Sequence, residues 1–406
     1  MIRPESVELL IHFILFFLGA GIGSFLNVVI YRVPLGISVN NPKRSFCPIC
    51  KKQIPWYRNL PLITWLVQRG KCAECGTRIP FRYFFVELLT GLLFYAVFRH
   101  VMAEAIVAWG YPQMWNHLHV WGPVVVVFWI FASLLVAGTF IDIDHYILPH
   151  SITLGGLMVG LLSAFLVPAI VPAIMVGEGF QVPIPERGKA ILISFTSACV
   201  GLGLLWAVVE LGKIAFGRRK LKFEGARQWN ISQPNENEAP IFTAGDETLS
   251  YNDIFTRPSD RLIIIVESVT VNDRTFGKGK VEVHVETIHV IPDDGEKVIY
   301  KLEEVKKIEG LTTEIVIPRE AMGFGDVLLI AMIGSFLGWQ AVIFTIVAAS
   351  MLGSVFAIVS RLAGHTEWSA KIPFGPYLAA GAMIWLFYGP QFVSWYLTRA
   401  GFKEYA

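Results

Sequence analysis

The chain has 406 residues, of which 54% are hydrophobic and only 16% are charged, and its mean hydropathy is +0.54. These values exclude an ordinary soluble domain and are typical of a polytopic membrane protein, whose environment is the lipid bilayer. The formal net charge of +2 says little, and we expect no nucleic-acid partner. Just over half of the charged side chains lie in residues 217–320, which predicts one soluble segment within a lipid-embedded chain.

Apolar segments predict about eight transmembrane helices, near 8–31, 83–101, 121–141, 151–172, 190–212, 326–338, 340–361 and 374–398. The first is too long for a signal-peptide core and has no convincing cleavage site, so we expect it to remain as a helix. The sixth is shorter than the roughly 20 residues that span a bilayer. We therefore expect the sixth and seventh to be a tilted or broken pair joined at Gly338-Trp339.

The loop at 32–82 decides the predicted orientation. It holds ten Lys or Arg residues and a single acid, Glu74, whereas residues 100–120 hold no Lys or Arg. The positive-inside rule therefore predicts a cytoplasmic loop. Counting segments from there, Asp142 and Asp326 both fall at the cytoplasmic face, and the insert at 217–319 falls on the same side.

Four cysteines in this loop form two CxxC pairs, 21 residues apart: Cys47, Cys50, Cys72 and Cys75. This spacing is typical of a four-thiolate zinc site, in which each pair turns two sulfurs toward one tetrahedral ion. Paired disulfides or free thiols are the alternatives, and a reducing cytoplasm disfavours the disulfides. Four thiolates leave no open position, so we expect structural Zn²⁺. The fifth cysteine, Cys199, is predicted to be a small packed hydrophobe within an apolar helix.

The insert is predicted to be a small β-rich domain. Strands are indicated at 261–266 and at 280–286, where Val281, Val283 and Val285 share one face, with a polar linker near 232–238. His284 and His289 are interpreted as solvent-facing strand residues, with metal ligation as the alternative. Nothing in the insert indicates catalysis.

Acidic side chains stand at the ends of two apolar runs. Asp142 and Asp144 close the run that begins at Trp121, and Asp326 opens the run that follows Gly323-Phe324-Gly325. An acid at the edge of hydrocarbon is costly, by roughly 2.5 to 3.5 kcal/mol at a helix centre, and so predicts a functional site. Two carboxyls that meet settle into one acid and one base around a water, which is the makeup of an aspartyl protease. The alternative is a helix-end acid paired with a nearby base.

Several separated motifs, in this order, resemble the type IV prepilin peptidases of bacterial inner membranes, members of the GxGD class of intramembrane aspartyl proteases. The motifs are Gly23-Ser24-Phe25-Leu26-Asn27-Val28-Val29 with Arg32-Val33-Pro34, the cysteine loop with Ile54-Pro55-Trp56-Tyr57-Arg58-Asn59 and Arg69-Gly70-Lys71, Arg82-Tyr83 with Glu87-Leu88-Leu89, Ile141-Asp142-Ile143-Asp144 with Leu148-Pro149, Gly323-Phe324-Gly325-Asp326, and Ile372-Pro373-Phe374-Gly375-Pro376-Tyr377. The resemblance covers nearly the whole chain outside the insert.

The resemblance implies a bifunctional enzyme. It would cut the basic leader from prepilins and pseudopilins at the cytoplasmic face and then methylate the new N-terminal residue from S-adenosylmethionine. It assigns catalysis to Asp142 and Asp326 and makes Asp144 a supporting carboxylate. Methylation depends on the resemblance alone, with the zinc loop as its expected platform. Glu87 is interpreted either as an acid that faces a substrate ammonium or as a partner of Arg82.

The glycines of the GxGD motif have a physical interpretation of their own. Without Cβ atoms, Gly323 and Gly325 would let the substrate backbone approach the acid, although simple helix packing is an equal alternative. The chain departs from the family at His150, where Asp is common, and at Leu328, where Lys is frequent. The insert is also unusual, and it is interpreted as a docking site for a pilus or secretion-system partner, or as a gate.

The predicted fold is a polytopic α-helical membrane protein with a cytoplasmic zinc-knuckle loop and an inserted β-rich soluble domain. Its predicted parts are a first helix at 1–31, the four-cysteine loop at 32–82, helices two to five at 83–216, the insert at 217–319 and helices six to eight at 320–406. Two other classes of function remain: a GxGD protease that cuts different membrane helices, and a non-enzymatic ion-coupled transporter or assembly scaffold.

Overall fold

A computed structural model of the chain describes residues 4–42, 44–171, 180, 182–216, 218–232, 239–245, 247–255, 261–318, 323–363 and 372–399. Two compact units are formed, Met1–Trp206 with Gly323–Ala406, and Ala207–Met322. The first unit is helical and the second is dominated by an antiparallel sheet. The predicted fold class, a polytopic helical membrane protein with an inserted β domain, is confirmed.

Helices α1 to α9 span, in chain order, Pro4–Arg32, Ile63–Val67, Phe81–Trp109, Leu118–His145, His150–Leu166, Arg187–Phe216, Tyr251–Ile254, Phe324–Leu362 and Gly375–Arg399. Short 3-10 helices occupy Trp56–Arg58, Gln113–His117 and Leu302–Glu304. Among the described residues, α1, α3, α4, α6 and α8 are long and apolar enough to cross a membrane, and α5 is a shorter apolar helix. The chain is therefore a membrane protein with several spans.

The predicted sixth and seventh segments form one run, α8, that is interrupted at Gly338. This glycine has φ 84° and ψ 170°, a conformation outside the helical region that residues with a Cβ rarely adopt. The break agrees with the pair expected at Gly338-Trp339. Counted separately, the two halves of α8 bring the helices of more than ten residues in the described part of the chain to eight.

The first half of α8 lies at the centre of the helical unit. Every residue from 326 to 338 is buried, because neighbouring helices surround this half. On one side Gly156 and Gly160 of α5 face Met332 and Ser335, so the lack of side chains on α5 permits close approach of the two helices. The run is apolar on every side because all of its faces are buried.

Helix α6 packs on another side of α8. The hydroxyl of Ser194 donates to the carbonyl oxygen of Ser335 at 2.7 Å, and Gly201 lies against the backbone at Ile330. Cys199, by contrast, is exposed. The expectation that this cysteine is packed is therefore wrong, because the face of α6 that packs is the one that carries Ser194 and Gly201.

The second unit is built on a nine-stranded sheet in the order β3-β2-β1-β9-β4-β6-β7-β8, with β5 paired to β4. Strands β1 to β9 span Arg218–Ser232, Ile241–Ala244, Glu247–Ser250, Leu262–Val271, Arg274–Phe276, Gly279–Val283, Thr287–Pro292, Val298–Lys301 and Ile308–Pro318. Neighbouring strands run antiparallel. One face carries the core, which includes Trp229, Phe242, Ile264 and Val281.

The predicted strand at 280–286 is partly corrected. Val281 and Val283 are fully buried, but β6 ends at Val283 and Val285 is 36% exposed. The strand stops there because the amide of His284 donates to the carbonyl oxygen of Thr287 at 2.8 Å, which closes a tight hairpin before Val285 can pair. Six residues of the predicted linker, 233–238, lie outside the described residues.

Candidate functional site

Asp142 lies in the last turn of α4 and is 5% exposed. The helix ends just beyond it, where Tyr146 takes a left-handed conformation with φ 55° and donates its amide to the carbonyl oxygen of Asp142. Oδ2 of Asp142 accepts a 2.9 Å hydrogen bond from the amide of Gly375, the first residue of α9. Because a helix N-terminus carries unpaired N–H groups and partial positive charge, this contact stabilises a carboxylate.

Asp326 is the third residue of α8 and is 9% exposed. Its amide donates to the carbonyl oxygen of Gly323 at 3.2 Å, so the GxGD motif forms the turn that begins the helix. Within the described residues, Oδ1 of Asp326 has no hydrogen-bond partner although it is buried. A buried carboxyl oxygen without a hydrogen-bond partner is typical of a site that binds a ligand or a water molecule.

Leu148 connects the helix ends that carry the two aspartates. A Cβ at Gly375 would lie 2.7 Å from Oδ2 of Asp142 and 3.4 Å from Cδ1 of Leu148, and a Cβ at Gly325 would lie 2.8 Å from Cβ of Leu148. Leu148 therefore touches the backbone beside both carboxyls. The structure therefore brings the helix ends of two acids that are 184 positions apart in the chain side by side.

The structure distinguishes the glycines near the acids. Gly325 and Gly375 have no room for a Cβ, whereas a Cβ at Gly323 would make only an ordinary contact of 3.8 Å with Oδ2 of Asp326. Gly375 belongs to one of the family motifs, but the sequence did not predict it as a site residue. The signal was present, since Pro376 is the second residue of α9 and proline is favoured at helix starts.

Asp144 lies apart from this pair and forms an ion pair with Arg82 of α3. Both side chains are about a quarter exposed, at 28% for Arg82 and 27% for Asp144. This contact ties the end of α4 to the start of α3 and leaves Asp142 as the buried acid. The alternative that made Arg82 the partner of Glu87 is wrong, because the guanidinium reaches Asp144 instead.

The four cysteines of the loop converge. Their sulfur atoms all lie within 4.8 Å of one another, and those of Cys47 and Cys75 are 3.9 Å apart. The two CxxC turns are built alike: Lys51 and Gly76, both at positive φ, donate their amides to the carbonyl oxygens of Cys47 and Cys72 at 2.9 Å. Short antiparallel bridges, Phe46 with Gln53 and Lys71 with Arg78, close each turn.

The chemistry of this cluster fits a metal such as zinc. Two hydrogen bonds with Thr77 lower the pKa of the Cys75 thiol to about 6. The bond with the Thr77 side chain has the larger effect and the bond with its backbone the smaller. The amide of Lys52 also lowers the pKa of Cys50, but burial and the neighbouring thiols outweigh it and raise that pKa to about 11. Four sulfurs this close cannot all ionise without a cation among them, and zinc supplies that charge.

A cavity of about 400 Å³ lies beside the cysteine loop. Its lining includes Trp65, Tyr83 and Phe84 together with Asn27 and Glu87. Oε2 of Glu87 accepts a 2.7 Å hydrogen bond from the amide of Leu62, which fixes the carboxylate at the cavity wall. Asn27 donates to the carbonyl oxygen of Tyr83 at 3.0 Å, while its buried Oδ1 has no hydrogen-bond partner among the described residues.

Arg32 also belongs to a family motif, and the sequence predicted no role for it. It is 3% exposed, and its guanidinium donates to the carbonyl oxygens of Ser38, Val39 and Pro42 at 3.2, 2.8 and 2.8 Å. These bonds fold the chain back just after α1. Arg32 therefore sets the direction in which the cysteine loop leaves the helical unit.

Two family models match the chain. One describes the bacterial peptidase A24 N-terminal domain and matches residues 17–101. The other describes the type IV leader peptidase family and matches residues 307–358. The first match covers most of α1, the cysteine loop and most of α3, and the second covers the GxGD motif. No solved structure is significantly similar to the chain.

Curated relatives give the same result over longer stretches. A prepilin leader peptidase/N-methyltransferase of Myxococcus xanthus is 46% identical over 37% of this chain and 39% of the relative. One of the same name from Aeromonas salmonicida is 26% identical over 93% of this chain and 90% of the relative. A third, from Neisseria gonorrhoeae, is 36% identical over 52% of this chain and 70% of the relative. The chain therefore belongs to the type IV leader peptidase family.

Proposed function

We propose that the chain is a membrane aspartyl endopeptidase that removes the basic leader of type IV prepilins and pseudopilins and then methylates the new N-terminal residue. Its family and its relatives, which are named as prepilin leader peptidases and N-methyltransferases, support this function. The observation that carries the peptidase part is the meeting of two buried acids, Asp142 and Asp326, at adjoining helix ends. Each lies in the terminal turn of its helix.

In the proposed cleavage step, a water lies between the two carboxyls. The ionised aspartate takes one proton as the oxygen attacks the scissile carbonyl carbon, and the protonated aspartate gives its proton to the carbonyl oxygen. As the tetrahedral intermediate collapses, the C–N bond breaks, the leaving nitrogen takes the proton that the base had removed, and one hydroxyl of the intermediate returns a proton to the aspartate that had acted as the acid. No covalent enzyme intermediate is formed.

The surroundings of the pair favour different protonation states for its two members. The amide of Gly375 donates to Asp142, and such a bond favours the ionised form. Within the described residues, Oδ1 of Asp326 has no hydrogen-bond donor that would stabilise a negative charge on it. We therefore assign the base to Asp142 and the acid to Asp326 at the start of the reaction.

For methylation, the cavity beside the cysteine loop is the proposed site. S-adenosylmethionine, when bound, supplies a methyl group on a positively charged sulfur. The aromatic side chains Trp65, Tyr83 and Phe84 would pack on an adenine ring, and Glu87 would hold a cationic amine. Alternatively, the carboxylate of Glu87 would orient the new N-terminal amine, whose lone pair must face the methyl carbon.

Zn²⁺ on the four cysteines would act as a structural ion that orders this wall of the cavity, since Cys47 and Cys72 themselves line it. We further propose that the site faces the cytoplasm across the bacterial inner membrane, as the basic loop at 32–82 predicts. The domain boundaries from the sequence, and a pilus or secretion-system partner for the insert at 217–319, stay predictions.

The direct test is to incubate the purified protein with a prepilin-like peptide and S-adenosylmethionine and to read the product masses. We expect one product that has lost the basic leader and a second that is heavier by one methyl group. Cleavage of unrelated single-span proteins with refusal of the prepilin peptide would favour another GxGD protease. Ion-dependent flux without any cleavage would favour the transporter.

A further inference from the structure

A cluster of ligand side chains lies in the β unit, on the hairpin that β6 and β7 form. Glu282 of β6 pairs directly with His289 of β7, so their side chains project from the same face of the sheet. His284 follows Glu282 by two positions and points to that face as well. The opposite face carries Val281 and Val283, which are fully buried in the core.

The three side chains are close enough to share one ion. Each offers a ligand atom, and these atoms lie within 4.8 Å of one another. Nε2 of His284 is 3.8 Å from Oε2 of Glu282, and the two imidazole rings have their centroids 4.4 Å apart. Ligands around a tetrahedral ion with bonds of about 2.0 to 2.1 Å lie roughly 3.3 Å apart, so rotamer shifts of less than about 1 Å complete the set.

The histidine nitrogens that face the cluster are available for coordination. Nε2 of His284 and Nδ1 of His289 are buried, and neither has a hydrogen-bond partner among the described residues. The other nitrogen of His289 lies 3.1 Å from Oγ1 of Thr287. When Nε2–H donates to that hydroxyl, the lone pair of Nδ1 is directed at the cluster, which is how outer contacts orient metal-binding histidines.

Glu282 divides its two oxygens between different neighbours. Oε1 contacts the ammonium of Lys280 and lies 3.9 Å from the guanidinium of Arg261, whereas Oε2 faces His284. The two cations balance the carboxylate, so a hard ion such as Ca²⁺ or Mg²⁺ gains little from its charge. An ion that bonds strongly to imidazole has an advantage at this site.

We propose that Glu282, His284 and His289 form a second metal site, separate from the cysteine cluster, for Zn²⁺ or a neighbouring late first-row divalent ion. Three protein ligands leave at least one position for water. The ion links β6 to β7 and so clamps the hairpin. Solvent exposure of the two histidines, the interpretation that the sequence favoured, does not account for buried ring nitrogens that have no hydrogen-bond partner in the described part of the chain.

The test measures bound zinc on the full chain in detergent, after equilibrium dialysis at micromolar free Zn²⁺. We expect about two ions per chain for the natural protein and about one for His284→Gln with His289→Gln. The variant Cys47→Ser with Cys72→Ser should also bind about one, and the combined variant about none. His119→Gln, an exposed histidine in the helical unit, is the matched control and should keep both ions.

A second measurement does not depend on altered histidines. X-ray absorption at the zinc edge of Cys47→Ser with Cys72→Ser should show nitrogen and oxygen ligands near about 2.0 to 2.1 Å and no sulfur near about 2.3 Å. Excess Mg²⁺ should leave this zinc in place. The proposal is overturned when that variant holds no zinc, when its zinc is bound by sulfur, or when the histidine changes leave the zinc content of the natural protein unchanged.

Discussion

The acid pair and the cysteine cluster gather their side chains in opposite ways. Each half of the cysteine cluster is a local turn, with its own hydrogen bond from Lys51 or Gly76, so only two turns have to meet. Asp142 and Asp326 are 184 positions apart on different helices, and their carboxyls come together only because α4, α8 and α9 pack together. The cysteine cluster should therefore respond mainly to changes within its loop, and the acid pair to changes in helix packing.

The largest effect is expected when one carboxyl of the acid pair is replaced by an amide. Asp142→Asn or Asp326→Asn should lower leader cleavage by about 10³-fold or more, because an amide can neither take nor give the proton that the step requires. Membrane levels and methylation of an already cleaved peptide should be retained. The readout is product mass over time, with the exposed acid changed in Glu186→Gln as the control. Normal cleavage by either asparagine variant would rule out the pair.

Next in size is the effect of helix packing on the acid pair. In Gly375→Ala, the new Cβ would lie 2.7 Å from Oδ2 of Asp142, so the carboxylate or the start of α9 must move. A displacement of this kind costs about 100-fold in rate, and we expect a loss of that order in kcat for cleavage. Gly155→Ala is the matched control, since a Cβ there meets no atom within 4 Å. Equal rates for the two variants would show that packing at Gly375 does not position Asp142.

The cysteine cluster should separate the two activities. Cys47→Ser with Cys72→Ser should remove the loop zinc and lower methylation by about tenfold or more, because the wall of the cavity loses its structural ion. Cleavage should fall by less, since the acid pair does not depend on this loop. Cys199→Ser, which alters an exposed cysteine in α6, should change neither activity. The measurements are the zinc content and the rates of cleavage and methylation. Equal loss of cleavage and methylation would show that the acid pair also depends on the cysteine loop.

The smallest effect is expected from the ion pair of Arg82 and Asp144. Both side chains are partly exposed, and pairs of this kind contribute about 0.2 to 1 kcal/mol. A double-mutant cycle with Arg82→Gln and Asp144→Asn, read by thermal unfolding and by cleavage rate, should give a coupling of that size. A far larger coupling in the cleavage rate would show that Asp144 takes part in the cleavage reaction itself.

Much of the architecture follows from composition and pattern. Apolar runs predicted the membrane helices, and the concentration of charge at 217–320 predicted the insert, because burial in lipid and exposure to water select different side chains. The cysteine spacing predicted that the four sulfurs cluster, because each CxxC turn is a local structure. Even the break in α8 was predicted, because the segment before Gly338 is too short to span a bilayer.

Tertiary structure alone decided the rest. Composition could not choose between Asp142 and Asp144, which only the family resemblance distinguished, and the packing buried the first and directed the second to Arg82. It also selected Gly375 as the donor to Asp142 and brought His289 opposite Glu282. These contacts join residues that are far apart in the chain or on neighbouring strands. Which distant groups meet depends on how whole helices and strands pack, and no local pattern of side chains specifies that.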